Sequence, residues 1–162
     1  MLRVTKLADY GIVLLTHFAA TPEITYTARG IANAANLPLP IASKVLKLLS
    51  KAGLLFSQRG INGGYGLAHR PEDVTVASII RALEGPIALT QCSDSNKDCA
   101  LQGGCPVQTN WHLINHAIHS ALERITLAQM TRPLHPSLVE FSIPDTPARL
   151  EYPQDKERLD LK

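Results

Sequence analysis

Apolar residues recur every three or four positions along most of this chain, and the recurrence stops at a few short polar, glycine- or proline-containing stretches. Over residues 6–20, KLADYGIVLLTHFAA, the spacing puts Leu7, Tyr10, Val13, Leu14, His17 and Phe18 on one side of a helix. Thr5 precedes it as an N-cap and Thr21-Pro22 ends it. A short helix is expected over about 27–35, TARGIANAA, followed by a tight turn at Asn36-Leu37-Pro38. Pro40 then opens a helix over about 40–52, since a missing N–H costs nothing in a first turn. Ile41, Val45, Leu48 and Leu49 make its apolar stripe, Ser43, Lys44, Lys47 and Lys51 lie largely off it, and Gly53 suits the position just past its end. The period then changes. Residues 54–57 and 65–67 read as paired strands around a turn, QRGINGG, whose glycines permit positive φ and close backbone approach.

Thr75 caps a further helix to about Leu83, stopped by Gly85-Pro86. After Pro106 comes the longest amphipathic run, with Val107, Trp111, Ile114, Ile118, Ala121, Leu122 and Ile125 at three- and four-residue steps. A single helix over 107–130 would be ~36 Å long at ~1.5 Å per residue. Such a helix needs a partner for its apolar face, and a second copy of the chain is the simplest one. From Pro133 the pattern dissolves among prolines 133, 136, 144, 147 and 153, which predicts a flexible tail.

The expected fold is therefore mainly α with a small β-hairpin: a winged helix–turn–helix domain plus a long dimerisation helix. The expected division is 1–85 for the DNA-binding domain, 86–105 for a cysteine loop, 106–132 for the dimerisation helix and 133–162 for the tail. No stretch approaches the ~18 apolar residues of a membrane span, and the start, MLRVTKLADYG, lacks a signal peptide's apolar region. The expectation is a cytoplasmic protein without membrane contact.

Charge sharpens this picture. Residues 1–70 carry eight Lys/Arg and two Asp/Glu, a net of +6, whereas the whole chain has only +2. That concentration is the footprint of a domain facing an anionic partner, although any small helical domain also carries lysines on its exposed face. For double-stranded operator DNA, a recognition helix in the major groove would present Pro40, Ser43, Lys44 and Lys47. Serine bonds a base edge or a phosphate, and lysine more often holds phosphate. At the wing, Arg59 among Gly60, Gly63 and Gly64 suits entry into a narrow minor groove.

All three cysteines, Cys92, Cys99 and Cys105, stand within one polar segment, CSDSNKDCALQGGC. A disulfide would strand one of them and is uncommon in a reducing compartment. Structural zinc usually uses a C-x2-4-C pair, which is absent, although His112 and His116 are available to complete a site. Buried inert thiols favour apolar faces, and this loop holds Asp94, Lys97, Asp98 and Gln102. Iron–sulfur ligation suits thiolates at longer spacings. On residue chemistry the cluster leads, with zinc and direct thiol chemistry as alternatives. An enzyme is disfavoured: there is no C-x-x-C, no nucleotide-binding glycine loop and no nucleophile–base pattern.

The order VTKLADYG, ANLPLPIASKVLKLLSKAGLL, QRGINGGYGLA and then three cysteines before a long helix resembles the Rrf-two family of bacterial transcription regulators. That group includes the iron–sulfur regulators IscR, NsrR and RirA. The resemblance covers about residues 1–132, and within the family the chain is most similar to regulators of SUF iron–sulfur assembly genes. It implies a homodimeric repressor gated by a 2Fe-2S or 4Fe-4S cluster on Cys92, Cys99 and Cys105. A nitric-oxide- or iron-responsive regulator of the same family is the neighbouring expectation. IscR-like members carry a histidine three residues after the last cysteine, where this chain has Gln108. NsrR-like members use an acidic residue of the first helix, which corresponds here to Asp9 from the partner subunit; His112 and His116 are the alternative fourth ligands.

Overall fold

The computed structural model describes residues 4–60, 63–94, 99–100 and 104–132. The first helix, α1 (Lys6–Ala20), starts at Thr5, whose hydroxyl accepts the Ala8 N–H. The same hydroxyl donates to Glu84 at 2.6 Å, tying the start of α1 to the far end of α4 (Val76–Glu84). The buried residues of α1 are Ala8, Gly11, Leu14, Leu15 and Phe18, one position round from the stripe that large apolar residues predict. The cause is a close helix crossing: Leu83 of α4 packs directly on Gly11, where a Cβ would collide with it.

The helix–turn–helix consists of α2 (Ala28–Ala34) and α3 (Leu39–Lys51). Asn36 adopts φ 52°, and the Asn36 and Leu37 N–H groups close back on the Asn33 and Ala32 carbonyls. This is a Schellman end with asparagine where glycine is more usual. The end of α3 repeats it with Gly53 at φ 78° and bonds from Gly53 and Leu54 to Ser50 and Leu49. Ala42, Val45, Leu46 and Leu49 are the buried residues of α3, while Ile41 and Leu48 are half-buried at the edges of the stripe.

The wing is an antiparallel hairpin of β1 (Leu55–Gln58) and β2 (Gly64–Leu67), with Leu55 opposite Leu67 and Phe56 opposite Gly66. Tyr26, between α1 and α2, adds a one-residue bridge to Tyr65 through N–H···O bonds of 2.9 and 2.8 Å. Tyr26 is itself held by its hydroxyl at Thr21, 2.6 Å away, and by an edge-to-face contact with Phe18.

The run after Pro106 is two helices rather than one. Helix α5 (Gln108–Arg124) ends at Ile125, and α6 (Leu127–Thr131) starts anew behind Thr126. The break has a local and a tertiary cause. Thr126 and Gln129 form a capping box. The extended backbone at 125–127 bonds to the segment before α4, Val76 N–H to the Ile125 carbonyl and Leu127 N–H to the Val74 carbonyl. Leu127 is thereby fully buried in the same core as Leu14, Leu46 and Ile79. The expected tail, 133–162, lies outside the described residues. Among the described residues no helix is long and apolar enough to cross a membrane.

Candidate nucleic-acid interface and cysteine loop

Pro40, Lys44 and Lys47 are exposed on α3, and Ser43 is half-buried beside them. Capping at Asn36 and the buried Ala42, Val45, Leu46 and Leu49 hold this face outward. Pro40 lies in the first turn of α3, where the helix dipole favours an anion. Arg59 and Gly60 are exposed at the wing tip, with Gly60 at φ 120°. Such a φ is strained for any residue with a Cβ.

The other two wing glycines have structural reasons of their own. A Cβ on Gly63 would stand 2.5 Å from the Gln58 carbonyl oxygen, and one on Gly64 would stand 2.7 Å from the Tyr26 carbonyl oxygen. Gly63 thus closes the turn, and Gly64 admits the Tyr26 bridge that docks the wing on the helix–turn–helix. Residues 61 and 62 of the wing tip lie outside the described residues. Tyr26 was not visible as a site-shaping residue in the apolar pattern, because a single bridging residue leaves no period-two signal.

The cysteine loop begins at Pro86. A 3-10 turn, Gln91–Ser93, contains Cys92 and lies on α5. The Thr90 hydroxyl is 3.1 Å from the Cys92 sulfur and 3.1 Å from the Ser93 hydroxyl. At the other end, the Cys105 carbonyl accepts the Gln108 N–H as α5 starts. Cys92, Cys99 and Cys105 are all free thiols and all half-buried. The chemistry of this donor set fits an iron–sulfur group, which takes thiolate ligands. Among the described residues no three His, Cys, Asp or Glu side chains are grouped as a metal site; residues 95–98 and 101–103 are not among those described. Asp9 is exposed in the first turn of α1, and His112 and His116 are exposed on α5. Among the described residues none of these three joins the cysteines in a group of three or more metal-binding side chains.

Helix α5 has no buried residue. Val107, Trp111, Leu113 and Ile114 are 46%, 38%, 63% and 45% exposed, whereas Leu122 and Ile125 farther along reach the core. Among the described residues, the first half of α5 therefore presents apolar surface that is left open. Polar contacts attach the helix to its neighbours. Asn115 bonds the backbone at 87 and 89, and His119 meets Arg81 of α4 at 3.0 Å.

Residues 4–133 match the family model Rrf2, described as an iron-dependent transcriptional regulator. The chain is 30% identical over 132 residues to protein rrf2 of Nitratidesulfovibrio vulgaris, which spans 81% of this chain and 88% of that one. It is 34% identical over 134 residues to the HTH-type transcriptional regulator IscR of Photobacterium profundum, covering 81% of this chain and 76% of the relative. Its fold is similar to that of CymR, the global cysteine regulator of B. subtilis, with a TM-score of 0.65 and 29% identity over 81% of this chain and 97% of that structure.

Proposed function

The chain belongs to the Rrf2 family of DNA-binding transcriptional regulators, and from that premise we propose that it is a homodimeric, iron–sulfur-gated repressor of iron–sulfur cluster assembly genes of the SUF type. The observation that carries the gating is the placement of every thiol in the chain, free and half-buried, in one loop whose two ends both rest on α5. Cys92, Cys99 and Cys105 would hold the cluster, with Asp9 of the second subunit as fourth ligand and His112 or His116 as the alternatives. When bound, the group supplies redox- and iron-sensitive bonds that oxidation, nitrosylation or iron shortage can break.

The chain's own residues account for the rest of the switch. The open apolar face of Val107, Trp111 and Ile114 suits pairing of two α5 helices, since burial of such surface drives association. Two α3 helices would then enter successive major grooves about 34–36 Å apart. Lys44 and Lys47 would hold phosphate, Pro40 and Ser43 would lie at the groove, and Arg59 with Gly60 would reach the flanking minor groove. Gly63 and Gly64 would serve this contact by shaping the wing. A change in the loop is passed to α5, and through α5 to the spacing of the two reading heads.

A second reading, in which the thiols act directly or with zinc, is supported by the likeness to a structure named a cysteine regulator. Anaerobic isolation separates the two. Brown protein with visible absorption and acid-labile sulfide agrees with a cluster. Colourless protein with stoichiometric zinc, or with three titratable thiols and no metal, overturns it.

A further inference from the structure

Resting on the reading of the cysteine loop as a ligand-holding segment, we infer that Asn115 is a positioning residue that sets the place of Cys92 by standing in for a neighbouring strand. The segment from Pro86 to Thr90 has no regular secondary structure, and Ile87 to Thr90 are half-buried. Backbone N–H and C=O groups withdrawn from water need partners. The Asn115 side chain supplies two at once. The Leu89 N–H donates to Asn115 Oδ1 at 3.0 Å, and Asn115 Nδ2 donates to the Ile87 carbonyl at 3.1 Å. Those are the two groups, on either side of Ala88, that a residue on a parallel strand would engage. One amide, with an acceptor and a donor on a short stem, replaces that strand.

Packing holds the segment only in part, through a half-buried Ile87 that rests against the core. The segment borders an open, mostly apolar cavity of about 350 Å³ lined in part by Val4, Ile80, Ile118 and Leu122. Helix α5 contributes no buried residue to hold it. From Leu89 the constraint runs through Thr90, whose hydroxyl is 3.1 Å from the Cys92 sulfur. Cys105 is referenced to the same helix through the bond from Gln108. Helix α5 thus acts as a ruler for two of the three thiols: Cys105 at its first turn and Cys92 through Asn115. A sequence pattern does not reveal this, because asparagine on an amphipathic helix reads as a solvent residue.

The test uses the metal-free, full-length protein. Amide exchange at Leu89 and the alkylation rate of Cys92 relative to Cys105 are compared in wild type, Asn115→Leu and Asn115→Asp. Asn115→Leu, which loses both bonds, is expected to raise exchange at Leu89 about tenfold and to raise the Cys92-to-Cys105 ratio several-fold. Asn115→Asp keeps the acceptor but lacks the donor while ionised. Its carboxyl regains a donor on protonation, so its exchange relative to wild type is expected to return towards unity below about pH 4. The inference is overturned if Leu89 exchange and the alkylation ratio in Asn115→Leu stay within about twofold of wild type. It is equally overturned if the Asn115→Asp exchange ratio does not change with pH, a readout that decides the matter even where Asn115→Leu unfolds. Because no metal is present, these results do not depend on the cluster, whose absence would show instead as colourless protein on anaerobic isolation.

Discussion

The reading head and the cysteine loop are built on different principles. Helices α2 and α3 are fastened by a shared apolar core, with Ile31, Ala42, Val45, Leu46 and Leu49 almost wholly buried, and by two Schellman ends. Among the described residues, the loop and the first half of α5 have no large apolar side chain fully buried, and they carry side-chain hydrogen bonds at Asn115, Thr90 and His119. Regions with few buried contacts open at lower free energy than the core. A rigid head presents a fixed face to an anionic partner. A lightly held loop is where a bound ligand can move an equilibrium, because a ligand shifts conformations only through differential contacts.

Four substitutions probe that contrast. Leu127→Ala strikes the point where α6 enters the head's core and is expected to destabilise the fold by about 2–5 kcal/mol. Ile114→Ala, on the open face of α5, should change unfolding free energy of the dilute protein by no more than about 0.5 kcal/mol. Its effect should appear instead as weaker self-association in sedimentation. If denaturant melts give the two variants equal losses, the head and α5 are not distinct in the way described.

Gly64→Ala comes next. Its methyl group would meet the Tyr26 carbonyl, so the bridge that docks the wing must shift, at a cost of about 1–3 kcal/mol. Loss of Tyr26 and Tyr65 amide protection, with the α3 amides still protected, is the expected exchange pattern. The smallest effect is at Lys47, which is exposed on α3. Lys47→Ala should leave melting unchanged and lower the slope of log affinity against log salt by about one if the side chain holds a phosphate. An unchanged slope removes it from the phosphate contacts.

The head was largely readable from the chain because its signals are local. Thr5, Thr75, Gly53 and Gly85 cap or stop helices where their chemistry predicts, and Asn36 adopts the left-handed conformation that asparagine tolerates. The core face of α1 lies one position round from its large apolar residues because the small Gly11 is there to admit Leu83, and apolar periodicity gives a glycine no weight. The break between α5 and α6 was hidden by apolar periodicity that continues through it, although the T-L-A-Q capping box at Thr126 was present to be read. The cysteine loop resisted for another reason. Its described first part is held by contacts of Asn115 and Thr90, whose side chains bond backbone and thiol at long or irregular separations, and no periodic pattern encodes such contacts.

The dependence of the head on the loop that we propose is tested most directly by operator affinity, measured anaerobically at fixed salt, for protein isolated with the proposed iron–sulfur cluster and for the same protein after its removal. The account predicts affinities that differ by about tenfold or more, within the range of ordinary coupling between two sites, and a Cys92→Ser, Cys99→Ser, Cys105→Ser triple variant that behaves as the cluster-free form. Equal affinities for the two forms, with the triple variant indistinguishable from both, would contradict it.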